Sequence, residues 1–338
     1  MNFRYIPFAL AALVAAIPAM AAPAYRLARS VPLGAPDRWD YTVFDADGGR
    51  LYVAHGDRIA VLDGRTGALI GEVPGIAGGT HGTAISTATG QGFTDDGAGG
   101  LAIAFDLKTL QITHRIAAGD DADAIVLDKA SGHVFVVDGD PGTLTVIDPV
   151  TNTVVATIPA GEKMEYATSD DMGTVYVAGE DRSDLLKIDS ASNKVVARWP
   201  APDCAKPHGL AFDKAGRRLF MGCVNKVMMV IDADTGRIVA KLPIGRGSDA
   251  IAYDARRHRV FSSNGADGTV SVYQQGSPDS YRPLDTIPTA VSGRTMAVDP
   301  ASGRLFVTAA DTDPSPAPGG RPRPRPGTLR VMFLDPTH

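Results

Sequence analysis

The most regular feature of the chain is a short apolar run that ends in a polar residue and is followed by a tight turn and a second apolar run. Tyr41–Asp45 followed by Leu51–Val53 is one example, and Ala124–Asp128 followed by Val134–Val136 is another. Short apolar runs bounded by turn residues predict β-strands. The polar residue that ends the first strand recurs at intervals of 41, 42, 42, 43, 41 and 45 residues, at Asp45, Ser86, Asp128, Asp170, Asp213, Asp254 and Asp299.

Each repeat continues with two more predicted strands. The third is exemplified by Leu144–Asp148, and the fourth ends in an apolar residue followed by proline, as in Ile158-Pro159. Proline is tolerated on the outermost strand of a sheet, because that edge needs no further hydrogen bonds. Four short strands in each repeat of about 40–45 residues are typical of a β-propeller blade. The sequence therefore predicts an all-β, seven-bladed β-propeller with four antiparallel strands per blade.

The last repeat has no fourth strand of its own before the C-terminus. The segment Tyr25–Gly34 ends in Val31-Pro32-Leu33-Gly34, as the other fourth strands end. We therefore expect this N-terminal strand to complete the last blade and close the ring. Such closure removes the open sheet edges at which proteins aggregate.

The segment from Ile147 to Pro159 reads Ile-Asp-x-x-Thr-x-x-Val-Val-Ala-Thr-Ile-Pro. This pattern resembles the YVTN-repeat, YncE-like propellers of bacterial periplasms, and the resemblance covers nearly the whole mature chain. It implies a seven-bladed propeller with a binding or accessory role. Related propellers include metal-dependent lactonases, so the resemblance leaves open whether the chain is an enzyme.

The beginning of the chain has the features of a targeting segment. Arg4 is followed by the apolar stretch Phe8–Ile17 and by the small residues of Ala19-Met20-Ala21. These features predict a signal peptide over residues 1–21 and a single mature domain over residues 22–338. No later apolar run reaches the length of a membrane-spanning helix. We expect a periplasmic or secreted monomer.

Composition and charge narrow the possible functions. The 338 residues include 37 Gly and 24 Pro, which disfavour long helices, and the formal net charge is −5. The predicted top connections between strands are also acidic, so no nucleic-acid partner is expected. The chain lacks the sequence motifs of phosphate-binding loops, zinc proteases and covalent haem attachment.

Ionisable residues recur at one position of the repeat. Counting back five residues from each recurring polar residue leads to the top of the strand that lines the central channel of a propeller. All seven of these positions are ionisable: Asp40, His81, Asp123, Glu165, His208, Asp249 and Arg294. Such a ring at the channel mouth suits a small polar ligand, a metal ion or a partner protein.

A subset of this ring has the chemistry of a divalent metal site: His81, Asp123, Glu165, His208 and Asp249. Mixed nitrogen and oxygen ligands suit Zn, Fe or Mn, and carboxylates with water suit Ca. Such a metal would let the protein act as a hydrolase or lactonase. Alternatively, Arg294 would hold a carboxylate beside a His or Glu base, or the ring residues would pair with one another in a purely structural scaffold. No cofactor or catalytic residue is assigned from the sequence.

The two cysteines of the chain, Cys204 and Cys223, are predicted to form a disulfide. Cys204 precedes the first strand of the fifth repeat, and Cys223 ends the second strand. Adjacent antiparallel strands bring these two points together at the same face of the propeller. An exported protein meets an oxidising environment in which such a bond persists.

The last repeat contains a Pro/Arg-rich insertion over residues 311–327. Six prolines predict an extended loop outside the sheet ladders, and the topology places it on the top face beside Arg294. Arg321, Arg323 and Arg325 would fold over the acidic ring as a lid, contact an anionic ligand or partner, or form part of a passive linker.

Overall fold

A computed structural model describes Met1, residues 23–315 and residues 322–337 of the chain. It contains seven four-stranded antiparallel sheets whose first strands surround a central channel, which confirms the predicted propeller. Apart from Met1, the predicted signal peptide lies outside the described residues. Among the residues that the structure describes, no helix is long and apolar enough to cross a membrane.

The strands follow one another blade by blade along the chain. The first, β1 (Tyr25–Pro32), precedes blade one. Blade one contains β2 (Thr42–Asp45), β3 (Arg50–His55), β4 (Arg58–Asp63) and β5 (Leu69–Pro74). Blade two contains β6 (Thr83–Ser86), β7 (Gln91–Asp96), β8 (Leu101–Asp106) and β9 (Ile112–Ala117), with a 3₁₀ turn at Gly97–Gly99. Blade three contains β10 (Ala122–Leu127), β11 (Val134–Asp138), β12 (Thr143–Asp148) and β13 (Thr153–Pro159).

The second half of the ring repeats this arrangement. Blade four contains β14 (Met164–Ser169), β15 (Thr174–Gly179), β16 (Asp184–Asp189) and β17 (Lys194–Pro200). Blade five contains β18 (Pro207–Asp213), β19 (Arg218–Cys223), β20 (Val227–Asp232) and β21 (Ile238–Pro243). Blade six contains β22 (Ser248–Asp254), β23 (Arg259–Asn264), β24 (Thr269–Ser277) and β25 (Ser280–Pro288). Blade seven contains β26 (Thr295–Val298), β27 (Leu305–Ala309) and β30 (Arg330–Pro336), with the short strands β28 (Thr312–Asp313) and β29 (Arg323–Pro324) between the last two.

An aspartate at the end of the channel strand starts a tight turn in several blades. The carboxylate of Asp45 accepts a hydrogen bond from the backbone N–H of Asp47, and that of Asp213 accepts one from Gly216. Asp254 accepts in the same way from Arg256. A carboxylate that bonds to the backbone two or three residues further on stabilises a tight turn. The channel strand thereby ends at the same point of these repeats, whereas blade two has Ser86 at this position.

The ring closes as predicted. β1 pairs with β30 along its whole length, from Tyr25 opposite Pro336 to Pro32 opposite Arg330. Blade seven therefore takes its outer strand from the N-terminus of the described domain. The side chain of Tyr25 is buried and contacts the ring of Phe261 in the neighbouring blade.

Large apolar side chains fill the spaces between blades. Phe93, Phe135, Phe220 and Phe306 come from the second strands of four blades and are fully buried. Each such side chain contributes about 1.5–3 kcal/mol by leaving water. The blades are therefore held at fixed angles, and the channel strands have a rigid support.

The predicted disulfide between Cys204 and Cys223 is present. It joins the connection that leads into β18 to the end of β19, and both cysteines are fully buried. The link anchors the top of blade five, where the chain enters the channel wall.

The Pro/Arg-rich loop is expected to lie outside any β-ladder, but its base forms a short one. Thr312 and Asp313 of β28 pair with Pro324 and Arg323 of β29. A pair this short needs few backbone N–H groups, so the neighbouring prolines do not prevent it. The described base of the loop is thus a narrow hairpin, and residues 316–321, including Arg321, lie outside the described residues.

Candidate functional site

All seven residues of the predicted ring line one cavity of 530 Å³ at the top of the channel. Asp123, Glu165, His208 and Asp249 are each the second residue of a channel strand. The other three ring residues come from the connections that precede β2, β6 and β26: Asp40, His81 and Arg294. The repeat therefore brings together side chains that are spread over more than 250 residues of sequence, as it predicted.

A β-bulge directs the ring residues of blades three to six. In blade three, Ala122 lies opposite Asp138 and Ile125 lies opposite Val136, so that residues 123 and 124 together face one residue of β11. The same two-against-one register occurs in β14, β18 and β22. A bulge bends its strand and re-aims the side chain at that point. The recurrence of the bulge explains why ring residues of four blades face the same cavity.

Adjacent channel strands come very close at this level. A Cβ atom on Gly209 would lie 2.7 Å from the carbonyl oxygen of Asp249, and one on Gly82 would lie 2.9 Å from the backbone nitrogen of Ile125. No side chain fits at these distances, so glycine is needed there. The close approach brings ring residues of neighbouring blades within ionic contact.

Two tyrosines on opposite sides of the ring meet below the ionisable residues. Tyr41 follows Asp40 in blade one, Tyr166 follows Glu165 in blade four, and their ring centroids are 4.5 Å apart. Tyr41 is buried and lines the cavity. The pair links blades one and four across the channel, and Tyr41 adds an aromatic surface to the cavity.

One group of ring residues, the blade-seven cluster, consists of Asp40, Asp249 and Arg294. The guanidinium of Arg294 lies 2.9 Å from a carboxylate oxygen of Asp249 and 3.2 Å from one of Asp40. It also donates a hydrogen bond to the carbonyl oxygen of Trp39 and lies over that indole ring. Its positive charge is therefore fully engaged by protein groups.

The pKa values in the blade-seven cluster reflect this pairing. Burial favours the neutral acid in Asp249, but the nearby imidazole of His208 and the charge of Arg294 outweigh burial and lower its pKa. Burial raises the pKa of Asp40 to about 6, against the attraction of Arg294. At neutral pH both carboxylates are ionised beside one guanidinium.

The positive charge of His81 is paired with a carboxylate outside the ring. Its Nδ1 atom lies 2.6 Å from Asp95, which is fully buried at the end of β7. Asp95 also accepts hydrogen bonds from the backbone N–H groups of His81 and Gly82. Burial opposes protonation of His81, but the hydrogen bond and charge of Asp95 outweigh it and raise its pKa to about 10. His81 is therefore a fixed cation that is already paired.

The second group, the blade-four cluster, consists of Asp123, Glu165, Glu180 and His208. Glu165, Glu180 and His208 each offer one ligand atom, and these three atoms lie within 4.8 Å of one another. The Nδ1 atom of His208 is 3.6 Å from Glu165 and 3.2 Å from Asp249. It is buried, and neither contact has the geometry of a hydrogen bond.

Carboxyl groups outnumber their cationic partners in the blade-four cluster. Burial and the charge of Asp123 raise the pKa of Glu165 to about 8. Burial and the charge of Asp40 place the pKa of Asp123 well above its usual range. Among the described residues, a further cation in contact is Lys206, whose Nζ lies 2.8 Å from Glu180 and whose side chain is 65% exposed. Burial favours the neutral acid in Glu180 as well, but its interactions with Lys206 and Glu165 outweigh burial and lower its pKa.

The structure separates the predicted metal-ligating residues. Among the residues that it describes, the group of three possible ligands contains Glu165 and His208 together with Glu180. His81 and Asp249 are instead engaged by Asp95 and by Arg294. Glu180 follows β15, the strand next to Glu165, and only the pairing of these two strands shows that its side chain reaches the ring. Tyr41 and Tyr166 were also not predicted, although the sequence marks them: at the position after the ring residue, these two repeats have a tyrosine and the other five have a small residue.

The described base of the Pro/Arg-rich loop stands at the rim of the cavity. Pro322 and Pro324 line the cavity, as the topology predicts. Gly327 donates its backbone N–H to Asp37, and Arg325 pairs with Asp313 at 2.7 Å. The loop thus narrows the entrance on the side of blade seven.

Comparison with known proteins identifies the fold. No protein-family model matches the chain, and no curated protein matches it. Solved structures do match. The RRP9 WD40 repeats have a TM-score of 0.77 and 12% sequence identity, and the match covers 93% of this chain and 99% of that chain. The Cps50 (Swd1) β-propeller domain of Myceliophteria thermophila has a TM-score of 0.74 and 11% identity, and the match covers 93% of this chain and 100% of that chain. Hydrazine synthase of Kuenenia stuttgartiensis is similar as well, with a TM-score of 0.70 and 15% identity over 88% of this chain and 96% of that chain. At these identities the likeness establishes the seven-bladed β-propeller fold and nothing finer.

Proposed function

We propose that the chain is a binding protein whose channel mouth binds a small cationic ligand, either a metal ion or a compound that carries an amine. The observation that carries this proposal is the shortage of positive charge in the blade-four cluster. Arg294, His81 and Lys163 form ion pairs with other carboxylates. Among the described residues, Glu165 pairs with His208 and Glu180 pairs with the exposed Lys206. A cation that enters the cavity supplies the missing charge.

The shape of the site supports a small ligand. A cavity of 530 Å³ lies within the range of about 300–1,000 Å³ that is usual for small-molecule sites. Trp39 and Tyr41 contribute aromatic side chains to its lining. Aromatic faces attract organic cations as well as apolar groups. An amine next to a carbon skeleton therefore finds both of its preferred surroundings here.

We further propose that the protein is exported and acts as a monomer in the periplasm or outside the cell. The predicted signal peptide and the Cys204–Cys223 disulfide support export. Membership of the YVTN-repeat, YncE-like group is part of the same proposal and is supported by the pattern from Ile147 to Pro159. In this view residues 22–338 form one domain.

A metal-assisted hydrolase or lactonase is the second candidate function. It is favoured by the position of Glu165, Glu180 and His208, because Glu165 and His208 open directly onto the cavity. A metal ion held there would have room for a water molecule and a substrate carbonyl, which it would activate or polarise. A third role, as an interaction scaffold, would place a cationic side chain of a partner protein in the same cavity.

Thermal unfolding of the purified protein in the presence of single compounds tests the proposed function. The cations are Zn²⁺, Mn²⁺, Ca²⁺, choline and spermidine, and citrate serves as the anionic comparison at equal ionic strength. We expect at least one cation to raise the melting temperature by about 5 °C at a hundredfold excess over its Kd, and citrate to have no such effect.

Two variants locate the effect. The double variant Asp123→Asn/Glu165→Gln removes two carboxylates from the cavity, and Asp181→Asn removes one from the exposed surface beside it. We expect the double variant to lose the thermal shift and Asp181→Asn to keep it. If no cation stabilises the wild-type protein, or if the double variant responds as the wild type does, the proposed function is wrong.

A further inference from the structure

The geometry of the blade-four cluster points to a particular cation. We propose that Glu165, Glu180 and His208 bind one divalent ion of a first-row transition metal, of which Zn²⁺ is a representative probe. This inference rests on the proposed function, because it names the ligand of the same mouth. The three ligand atoms lie within 4.8 Å of one another. Metal bonds of about 2.0–2.2 Å place tetrahedral ligands about 3.3 Å apart, so small side-chain rotations complete the site.

The three ligands have rigid supports. Glu165 and His208 lie in the bulges of β14 and β18, the channel strands of adjacent blades. Glu180 directly follows β15, and its backbone N–H is bonded to the carbonyl oxygen of Lys163. The disulfide at Cys204 anchors the connection that leads to His208. A site built on strands and a cross-linked connection keeps its ligands in place before the metal arrives.

The imidazole of His208 provides an independent sign of a missing partner. Its Nδ1 atom is buried and makes no hydrogen bond in the part of the chain that the structure describes. Buried polar atoms nearly always have a partner. The carboxylates of Glu165 and Asp249 lie beside this atom without satisfying it. A metal ion bound by the imidazole and the two glutamates gives the ring a partner and removes the repulsion between the carboxylates.

The ligand types select the class of metal. One imidazole nitrogen with two carboxylate oxygens suits Zn²⁺, Mn²⁺ or Fe²⁺ better than Ca²⁺, which prefers six to eight oxygens. Three protein ligands also leave at least one position free on the metal. Glu165 and His208 line the cavity, so that free position faces the space where a second ligand would bind.

In the absence of a metal ion, the positive charge beside Glu180 is that of Lys206. Its ammonium group lies 2.8 Å from Glu180, and its side chain is 65% exposed, so it can turn away into solvent. A metal ion must compete with this ammonium group for the Glu180 carboxylate. Replacing Lys206 with an uncharged residue of similar length should therefore tighten metal binding, which a merely structural role for the cluster would not cause.

Titration calorimetry with Zn²⁺ at pH 7 tests the site in four proteins: the wild type, Glu180→Gln, Lys206→Met and Asp181→Asn. We expect one Zn²⁺ per wild-type chain. Binding should be at least thirtyfold weaker in Glu180→Gln and about fivefold tighter in Lys206→Met. Asp181→Asn makes the same change of charge at the next residue, outside the ligand set, and should bind within twofold of the wild type. His208→Gln repeats the test if Glu180→Gln does not fold.

Two results would overturn the metal site: wild-type affinity in both Glu180→Gln and His208→Gln, or no binding of Zn²⁺, Mn²⁺ or Fe²⁺ to the wild type. A failure of the metal site can be distinguished from a failure of the proposed binding function. If choline or spermidine still stabilises the wild-type protein through Asp123 and Glu165, the mouth binds an organic cation and only the metal assignment is wrong. If no cation of either kind stabilises it, both proposals fail.

Discussion

The two sides of the channel mouth use the same residue types in different proportions. In the blade-seven cluster, the guanidinium of Arg294 contacts both Asp40 and Asp249, and its own donors are satisfied. In the blade-four cluster, Glu165 and Glu180 approach each other and His208, and the cation paired with Glu180 is the exposed side chain of Lys206. One side is a finished ion-pair network, and the other lacks positive charge.

This difference shows how a repeated position can serve two purposes. The fold requires only that side chains of seven channel strands meet at one level, and it does not require them to be neutralised there. A buried ion pair that satisfies itself contributes to the structure, whereas a surplus of buried carboxyl groups is retained at a cost to stability. We therefore expect a ligand to bind at the surplus of carboxyl groups in the blade-four cluster.

The largest expected effect is on the blade-seven cluster. Arg294→Met leaves Asp40 and Asp249 without their shared partner and should lower the free energy of unfolding by about 2–3 kcal/mol. This is less than the 3–5 kcal/mol typical of a fully buried pair, since the Arg294 side chain is 35% exposed. Denaturant titration measures the change.

The matching substitution on the other side should act in the opposite direction. Asp123→Asn removes a carboxylate that repels its neighbours, so it should leave stability unchanged or raise it. Equal destabilisation by Arg294→Met and Asp123→Asn would mean that both sides are structural networks and would remove the contrast between them.

The pH dependence of stability separates the clusters further. Glu165 has its pKa raised to about 8, so its favourable contribution is complete below its usual pKa of 4.5 and is lost as the pH rises through 8. His81, raised to about 10, contributes fully below pH 6.5 and loses its contribution as the pH rises through 10. Asp249, whose pKa is lowered, contributes above its usual 3.8 and loses its contribution in acid.

We therefore expect the metal-free protein to be less stable at pH 9 than at pH 6, when the free energy of unfolding is measured in EDTA. Glu165→Gln should reduce the part of this loss that occurs below pH 8. Stability that rises from pH 6 to pH 9 would show that the carboxyl groups of the blade-four cluster are not destabilised by ionisation.

The sequence predicted the fold and the meeting of the seven ring residues at one cavity, because both depend on the repeat. Aspartates such as Asp45 and Asp213 form the same turn in different blades, and counting back from them finds residues that line the cavity. Closure by β1 follows from the missing fourth strand of the last repeat. These features are local to a blade or to its sequence register.

The distribution of charge among the ring residues could not be predicted in this way. Arg294 contacts Asp40 across the junction of the chain termini, and Tyr41 meets Tyr166 across the channel. Glu180 and Asp95 lie outside the ring position yet contact its residues. Such contacts depend on the diameter of the ring and on side-chain directions, which a one-dimensional repeat does not contain.

The smallest expected effect concerns the Pro/Arg-rich loop at the rim. Arg323→Ser/Arg325→Ser removes two exposed positive charges from the blade-seven side of the entrance. Cation binding at the blade-four cluster should become tighter by less than about threefold at low salt and unchanged at high salt, because exposed charges are screened. Calorimetry at two ionic strengths measures this, and a tenfold change that persists in high salt would instead identify the loop as part of the binding site.

The most direct measurement is the position of a bound metal in a crystal of the protein grown with Zn²⁺, located by anomalous scattering at the zinc edge. We expect one strong peak about 2.0–2.2 Å from an oxygen of Glu165, an oxygen of Glu180 and a nitrogen of His208, with Lys206 turned away. A peak at Asp40 and Asp249, or no peak in the channel mouth at saturating Zn²⁺, would contradict the assignment of the binding site to the blade-four cluster.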